Sequence, residues 1–149
     1  MNEENFQVEQ IDHVELVVPD RYEAAQWYEQ VLGLEICDDY QQWADDGGPL
    51  HISSDGGKTK LALFEGQPSG SRETTGSRRV AFRVGGTEFI DFITRVEDLP
   101  VPDVGREEDQ DDIADHDLAF SIYFQDPYGN PLEVTTYDYE TVATALKPE

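Results

Sequence analysis

Residues 11–20 read IDHVELVVPD and residues 31–35 read VLGLE. In the first stretch Val14, Leu16 and Val18 fall on one side of a period-two pattern, and His13, Glu15 and Val17 fall on the other, as in a strand with one core face and one open face. Asp20 stands where a helix N-cap belongs. Ala24, Trp27, Tyr28, Val31 and Leu32 then recur at three- and four-residue spacing up to Gly33, which can stop a helix by taking left-handed backbone. Short strands are expected over 34–43, 49–54 and 60–65, the last two joined by the turn Ser54-Asp55-Gly56-Gly57. The first half therefore reads βαβββ.

The same pattern restarts further on. Residues 66–77, GQPSGSRETTGS, have the composition of a linker. Residues 79–84, RVAFRV, repeat the first strand with Val80, Phe82 and Val84 toward a core. Thr87 is expected to cap a helix carrying Phe89, Phe92, Ile93 and Val96. The acidic stretch from Glu107 to Asp115 reads as a solvated loop. Alternating runs Leu118–Gln125 and Pro131–Tyr137 follow, joined by the turn Asp126-Pro127-Tyr128-Gly129-Asn130. The expectation is an α+β fold in one domain, residues 1–149, with two βαβββ modules at about 11–66 and 78–140 forming a cupped mixed sheet.

Composition limits the function classes. A chain of 149 residues suits one folding unit. No apolar run reaches membrane-spanning length, and the polar, acidic start MNEENFQVEQ predicts no secretory leader, which points to the cytoplasm. Cys37 is the single cysteine, so neither an internal disulfide nor a thiolate cluster can form. The net charge is −23, with 33 acidic against 10 basic residues, yet 38% of residues are hydrophobic. Self-repulsion of that size strains a compact state unless salt screens it, which predicts a halophilic, salt-rich setting. With no basic patch, nucleic acid is disfavoured as a partner and none is expected.

IDHVELVVPD, the helix end VLGLE, the restart RVAFRV and the closing SIYFQDPYGNPLEV (121–134) together resemble the vicinal oxygen chelate superfamily, which includes glyoxalase I, extradiol dioxygenases, fosfomycin-resistance enzymes and bleomycin-binding proteins. The resemblance spans about residues 11–137. It implies the glyoxalase/dioxygenase-like fold of paired βαβββ modules, a ligand cleft lined by strands, and commonly a bound divalent metal. Strand alternation independently places His13 opposite Val14 and Leu16, and Glu133 opposite Leu132 and Val134, so that both side chains can face the cup. An imidazole with a carboxylate suits Fe(II), Mn(II), Ni(II) or Zn(II).

The departures are as informative. Arg79 stands where the dioxygenase-like and fosfomycin-type members place a His, and Ala62 where the glyoxalase-type members place a Glu. A guanidinium cannot ligate a cation, so Arg79 argues against the metal; it is expected to pair with Glu133 or Glu15 or to clamp an anionic substrate. His51 alternates with Leu50 and Ile52 and is either a third ligand or a hydrogen-bonded wall residue. The spacing His116, Tyr123, Asp126-Pro127, Gly129, Glu133 follows the extradiol dioxygenase signature, in which the corresponding His and Tyr act as acid/base and substrate donor. Each residue here has a bland alternative, a loop histidine and a half-buried strand tyrosine. Trp43, Phe64 and Phe120 are candidates for an apolar cleft wall, and Glu15 and Arg83 for an ion pair.

Three functions compete on this reading. The first is a metal-dependent dioxygenase or lyase acting on a small oxygenated molecule, such as an aromatic diol or a carbonyl compound. The second is a metal-free, drug-sequestering binding protein. The third is a non-catalytic structural descendant whose main property is to form a homodimer.

Overall fold

The computed structural model describes residues 6–66, 79–101 and 113–147; most of the expected linker and of the acidic stretch lies outside them. The chain divides into two compact units, Met1–Ser71 and Arg72–Glu149, each described by itself.

In the first unit, β1 (His13–Val18) leads into α1 (Arg21–Leu32). Asp20 is extended, and its carboxylate accepts from the N–H groups of Tyr22 and Glu23 at 3.0 and 3.1 Å, which satisfies two of the donors every helix start leaves open. Gly33 ends the helix at φ 71°, its N–H reaching the Glu29 carbonyl at 3.0 Å. The stripe of Ala24, Ala25, Trp27, Tyr28 and Val31 is buried. β2 (Glu35–Ile36), β3 (Leu50–Ser53) and β4 (Lys60–Glu65) complete a mixed sheet of order β1-β4-β3-β2, in which β1 runs parallel to β4 and the other neighbours are antiparallel. Val18, Leu50, Ile52, Leu61 and Leu63 form its buried apolar face, against which α1 packs.

The expected strand over 34–43 is cut short. After two β residues the chain turns through a 3₁₀ segment, Asp38–Tyr40, into a short helix, α2 (Gln41–Asp45). Asp38 and Asp39 are poor strand formers, and Tyr40, Trp43 and the buried Ala44 have helical rather than alternating spacing.

The second unit repeats the plan: β5 (Val80–Arg83), α3 (Gly86–Arg95), β6 (Ile113–Asp115), β7 (Phe120–Gln125) and β8 (Pro131–Thr136), in sheet order β5-β8-β7-β6 with β5 parallel to β8. The βαβββ reading thus holds in both halves. Part of the acidic stretch is strand and not loop, because Ile113 to Asp115 pair with Ile122 to Phe120. A further helix, α4 (Tyr139–Leu146), lies on α3. Phe89, Ile122, Phe124, Leu132, Val134 and Val142 are buried, and Phe92 packs on Phe124 with ring centroids 5.6 Å apart.

Thr87 does not cap α3. The cap position is Gly85, which makes no side-chain bond, and Gly86 opens the helix. Glycine is needed at 86 because a Cβ there would stand 2.5 Å from the carboxylate of Asp138, the residue that caps α4. Phe120 is likewise no cleft wall: it stacks on Tyr139 at 4.7 Å.

Candidate functional site

The register of each sheet decides which side chains share the face turned away from the helix. In the first unit His13 pairs with Lys60, Glu15 with Ala62, and Ala62 with His51, so that these five lie on one face. In the second, Ala81 pairs with Glu133, Glu133 with Tyr123, Arg83 with Thr135, and Thr135 with Ser121. Alternation therefore put His13, Glu15 and His51 on the open face of one sheet, and Glu133, Tyr123 and Arg83 on that of the other.

His13 is engaged at both ring nitrogens. Nδ1 lies 2.8 Å from Asp12 Oδ2 and Nε2 lies 3.3 Å from Glu15 Oε2. The hydrogen bond to Asp12, despite some desolvation, raises the His13 pKa above the usual histidine value, and Asp12 is lowered in return. Lys60, only 5% exposed, donates to Gly57 O at 2.8 Å and to Asp12 Oδ1 at 3.2 Å, with its ammonium 5.1 Å from the Tyr40 ring centroid.

His51 is different. It is 4% exposed, and its Nδ1 has no hydrogen-bond partner. Burial, with the charges of His13 and Lys60 adding to it, pushes its pKa down and so favours the neutral ring. The rings of His13, Tyr40 and Trp43 surround it at centroid distances of 5.8, 5.6 and 5.3 Å.

In the second unit Glu133 Oε2 accepts from the buried Ser121 hydroxyl at 2.7 Å. Tyr123 OH lies 3.0 Å from His116 Nε2, and the Arg79 guanidinium sits 4.6 Å from the Tyr123 ring centroid. Arg79 thus takes an aromatic partner, and no ion pair with Glu133 is found among the described residues. Arg83 does the same over Tyr137 at 4.9 Å. His116 is held by a tight turn in which its N–H donates to Ala119 O at 2.9 Å and Asp117 takes φ 70°. The turn before Glu133 is built by buried Asp126, whose carboxylate accepts from Tyr128 N, Asn130 N and Asn130 Nδ2 at 2.7 to 2.9 Å.

Within neither unit does the donor set fit a divalent metal. His13 is committed to two carboxylates, and among the described residues no three His, Cys, Asp or Glu side chains converge to hold an ion. Sequence reasoning missed Ser121, which shares the face of Tyr123 by period two, and Tyr40, whose helical spacing was read as strand. It also missed the Asp12 contact, because alternation gives a side chain's face and not its partner.

A model of the Glyoxalase/Bleomycin resistance protein/Dioxygenase superfamily matches residues 10–134. Among solved structures, the Oxidase ChaP-H2 is 22% identical, with 91% of this chain and 99% of that chain covered at TM-score 0.64. A glyoxalase/dioxygenase from Nostoc punctiforme is 20% identical, with 87% and 91% covered at 0.63. A fosfomycin resistance protein, FosX, from Listeria monocytogenes, complexed with Mn(II) and sulfate ion, is 17% identical, with 95% and 100% covered at 0.62. At these identities the likeness speaks for the fold alone. No curated protein matches the chain significantly.

Proposed function

Since the chain belongs to the glyoxalase/bleomycin resistance protein/dioxygenase superfamily, we propose that it binds a small oxygenated molecule on strand faces turned away from its helices, and meets the ligand's oxygens with its own side chains rather than with a protein-held metal. The observation that carries this is the array Arg79–Tyr123–His116, a fixed cation over a phenol ring whose hydroxyl is bonded to an imidazole. In that array Tyr123 is the donor to a ligand oxygen, His116 takes or returns the proton through its 3.0 Å contact, and Arg79 supplies permanent positive charge where negative charge gathers. Glu133, oriented by Ser121, is the acceptor for a ligand hydroxyl. An aromatic diol or a carbonyl compound suits these groups.

The test is metal content and response. Protein purified without chelator should carry no stoichiometric Fe, Mn, Ni or Zn, and those ions should leave its melting temperature unchanged. A stoichiometric metal, or a large upward shift with one of them, sinks the proposal. Arg79→His is the sharper variant, because metal affinity gained only in the variant would show a donor set lacking one member. Tyr123→Phe should weaken catechol binding while leaving the melt close to wild type.

The competing metal-dependent enzyme, with His13, Glu133 and His51 as ligands, has the Mn(II) complex of the FosX neighbour in its favour. It requires His13 to leave both Asp12 and Glu15. A homodimer and a salt-rich cytoplasm belong to the same proposal; the latter rests on the net charge of −23, and light scattering across a salt series tests the former.

A further inference from the structure

Buried nitrogen and oxygen atoms in folded proteins are almost always hydrogen-bonded, and one left bare costs about 1 to 3 kcal/mol. Among the described residues that are not solvent-exposed, His51 Nδ1 is the one such buried side-chain atom without a partner. Its surroundings are not those of a core histidine. Tyr40 and Trp43 stack on each other at 5.1 Å with 16° between their planes, and the His51 ring tilts at 56° and 59° to them. The His13 ring meets it edge-on at 81°. Trp43 is 50% exposed although it bounds a buried imidazole, so it is the most open wall of the box. The segment that carries it is fixed by its backbone: Cys37 N–H donates to His51 O at 2.9 Å and Gly48 N–H to Trp43 O at 2.7 Å, while Ala44 is buried.

We infer that His51, Tyr40 and Trp43 form a recognition site for a neutral, hydroxylated planar aromatic molecule, whose ring packs against the Tyr40 and Trp43 rings and whose hydroxyl bonds to His51 Nδ1 when the Trp43 indole swings aside. The inference rests on the reading of the chain as a small-molecule binder, and it adds the ligand class and the group that selects it.

Each part of the ligand answers a feature of the box. A hydroxyl both donates and accepts, so it satisfies Nδ1 in either neutral tautomer. A flat ring matches walls that are themselves rings, where offset stacking and edge contacts are worth about 0.5 to 1.5 kcal/mol per pair beyond burial. Neutrality follows from charge. Asp38, Asp39 and Asp45 lie on the segment that carries Tyr40 and Trp43, Asp12 and Glu15 hold His13, and the nearby cation Lys60 is already paired with Asp12. An anion would meet repulsion with no free counter-charge in this cluster.

Three probes separate the parts, measured by calorimetry in concentrated KCl: 2-naphthol, 2-methoxynaphthalene, and naphthalene-2-sulfonate. The expected pattern is binding of 2-naphthol, at least about tenfold weaker binding of the methyl ether, which can satisfy only one tautomer and is bulkier at the oxygen, and none of the sulfonate. His51→Phe keeps a ring in the box and removes the nitrogen; it should weaken 2-naphthol about tenfold and leave the ether unchanged. In ¹⁵N spectra of the wild-type imidazoles, 2-naphthol should move the His51 Nδ1 resonance, a readout that does not depend on a variant folding. No 2-naphthol binding, equal binding of the sulfonate, or an unmoved His51 resonance overturns the inference. Binding unchanged in His51→Phe but lost in Tyr123→Phe overturns it while leaving the proposed function standing. Stoichiometric metal with the naphthol pattern intact does the reverse.

Discussion

The two modules are the same sheet carrying different chemistry. Val14 pairs with Leu61 as Val80 pairs with Leu132, and from that register His13 corresponds to Arg79, Ala62 to Glu133, and His51 to Tyr123. The helix-facing positions conserve their character across the repeat: Leu61 and Leu132, Leu63 and Val134, and Leu50 and Ile122 are all buried and apolar. The open positions conserve nothing but their direction. A repeated βαβββ frame therefore constrains the side of the sheet that packs and leaves the other side free to diverge, so the frame alone says little about function.

Equivalent core positions test the sameness with the largest effect. Leu61→Ala and Leu132→Ala should each cost about 2 to 5 kcal/mol, from lost burial and the cavity left behind. Denaturant unfolding checks it. A value below about 1 kcal/mol for either variant would mean that its module does not pack as its counterpart does.

Ser121 sharpens the difference. It has a partner in Glu133 that Ala62 cannot supply in the other module, and it is buried. Ser121→Ala should cost about 1.5 to 3 kcal/mol, because a hydrogen bond to a carboxylate is lost. The double variant Ser121→Ala, Glu133→Ala should cost less than the sum of the single changes.

The smallest effect is pH dependence, and here two histidines of one module oppose each other. The His13 pKa is raised in the fold by Asp12, so its contribution is complete below the ordinary histidine range and fades as pH rises through the raised value. His51 is lowered by burial, so its contribution is complete above that range and is lost as pH falls through its lowered value. Melting curves from pH 5 to 9 should therefore lose their alkaline decline in His13→Gln and their acidic decline in His51→Phe. The same curve in both variants would show that neither ring titrates differently on folding.

What was legible in the sequence follows from range. Asp20, Gly33 and the alternation in β1, β7 and β8 act through neighbours a few residues away, and the chain states them outright. β6 was missed because three residues ending in Asp115 make no pattern of their own; their pairing with Ile122 to Phe120 makes them a strand. The 34–43 stretch differs for the opposite reason, since Tyr40, Trp43 and Ala44 carry a local helical spacing that a strand over those residues leaves unused. At the site, parity placed His13, Glu133, His51 and Tyr123 on the correct faces. It could not foresee that His13 would turn to its sequence neighbour Asp12, or that Arg79 would choose the Tyr123 ring over the Glu133 carboxylate.

The parallel pairings of β1 with β4 and of β5 with β8 carry a kinetic consequence. Each joins the first strand of a module to its last, so neither sheet can close until the whole intervening chain has been gathered. Such long closures place folding among the slower domains, on the order of milliseconds to seconds, with apolar strands bare while they wait. Where salt is too dilute to screen it, a chain with 33 acidic residues repels its own copies throughout that interval. At such ionic strength the charge opposes aggregation of the waiting strands, and concentrated salt, which relieves the strain on the folded state, removes that protection.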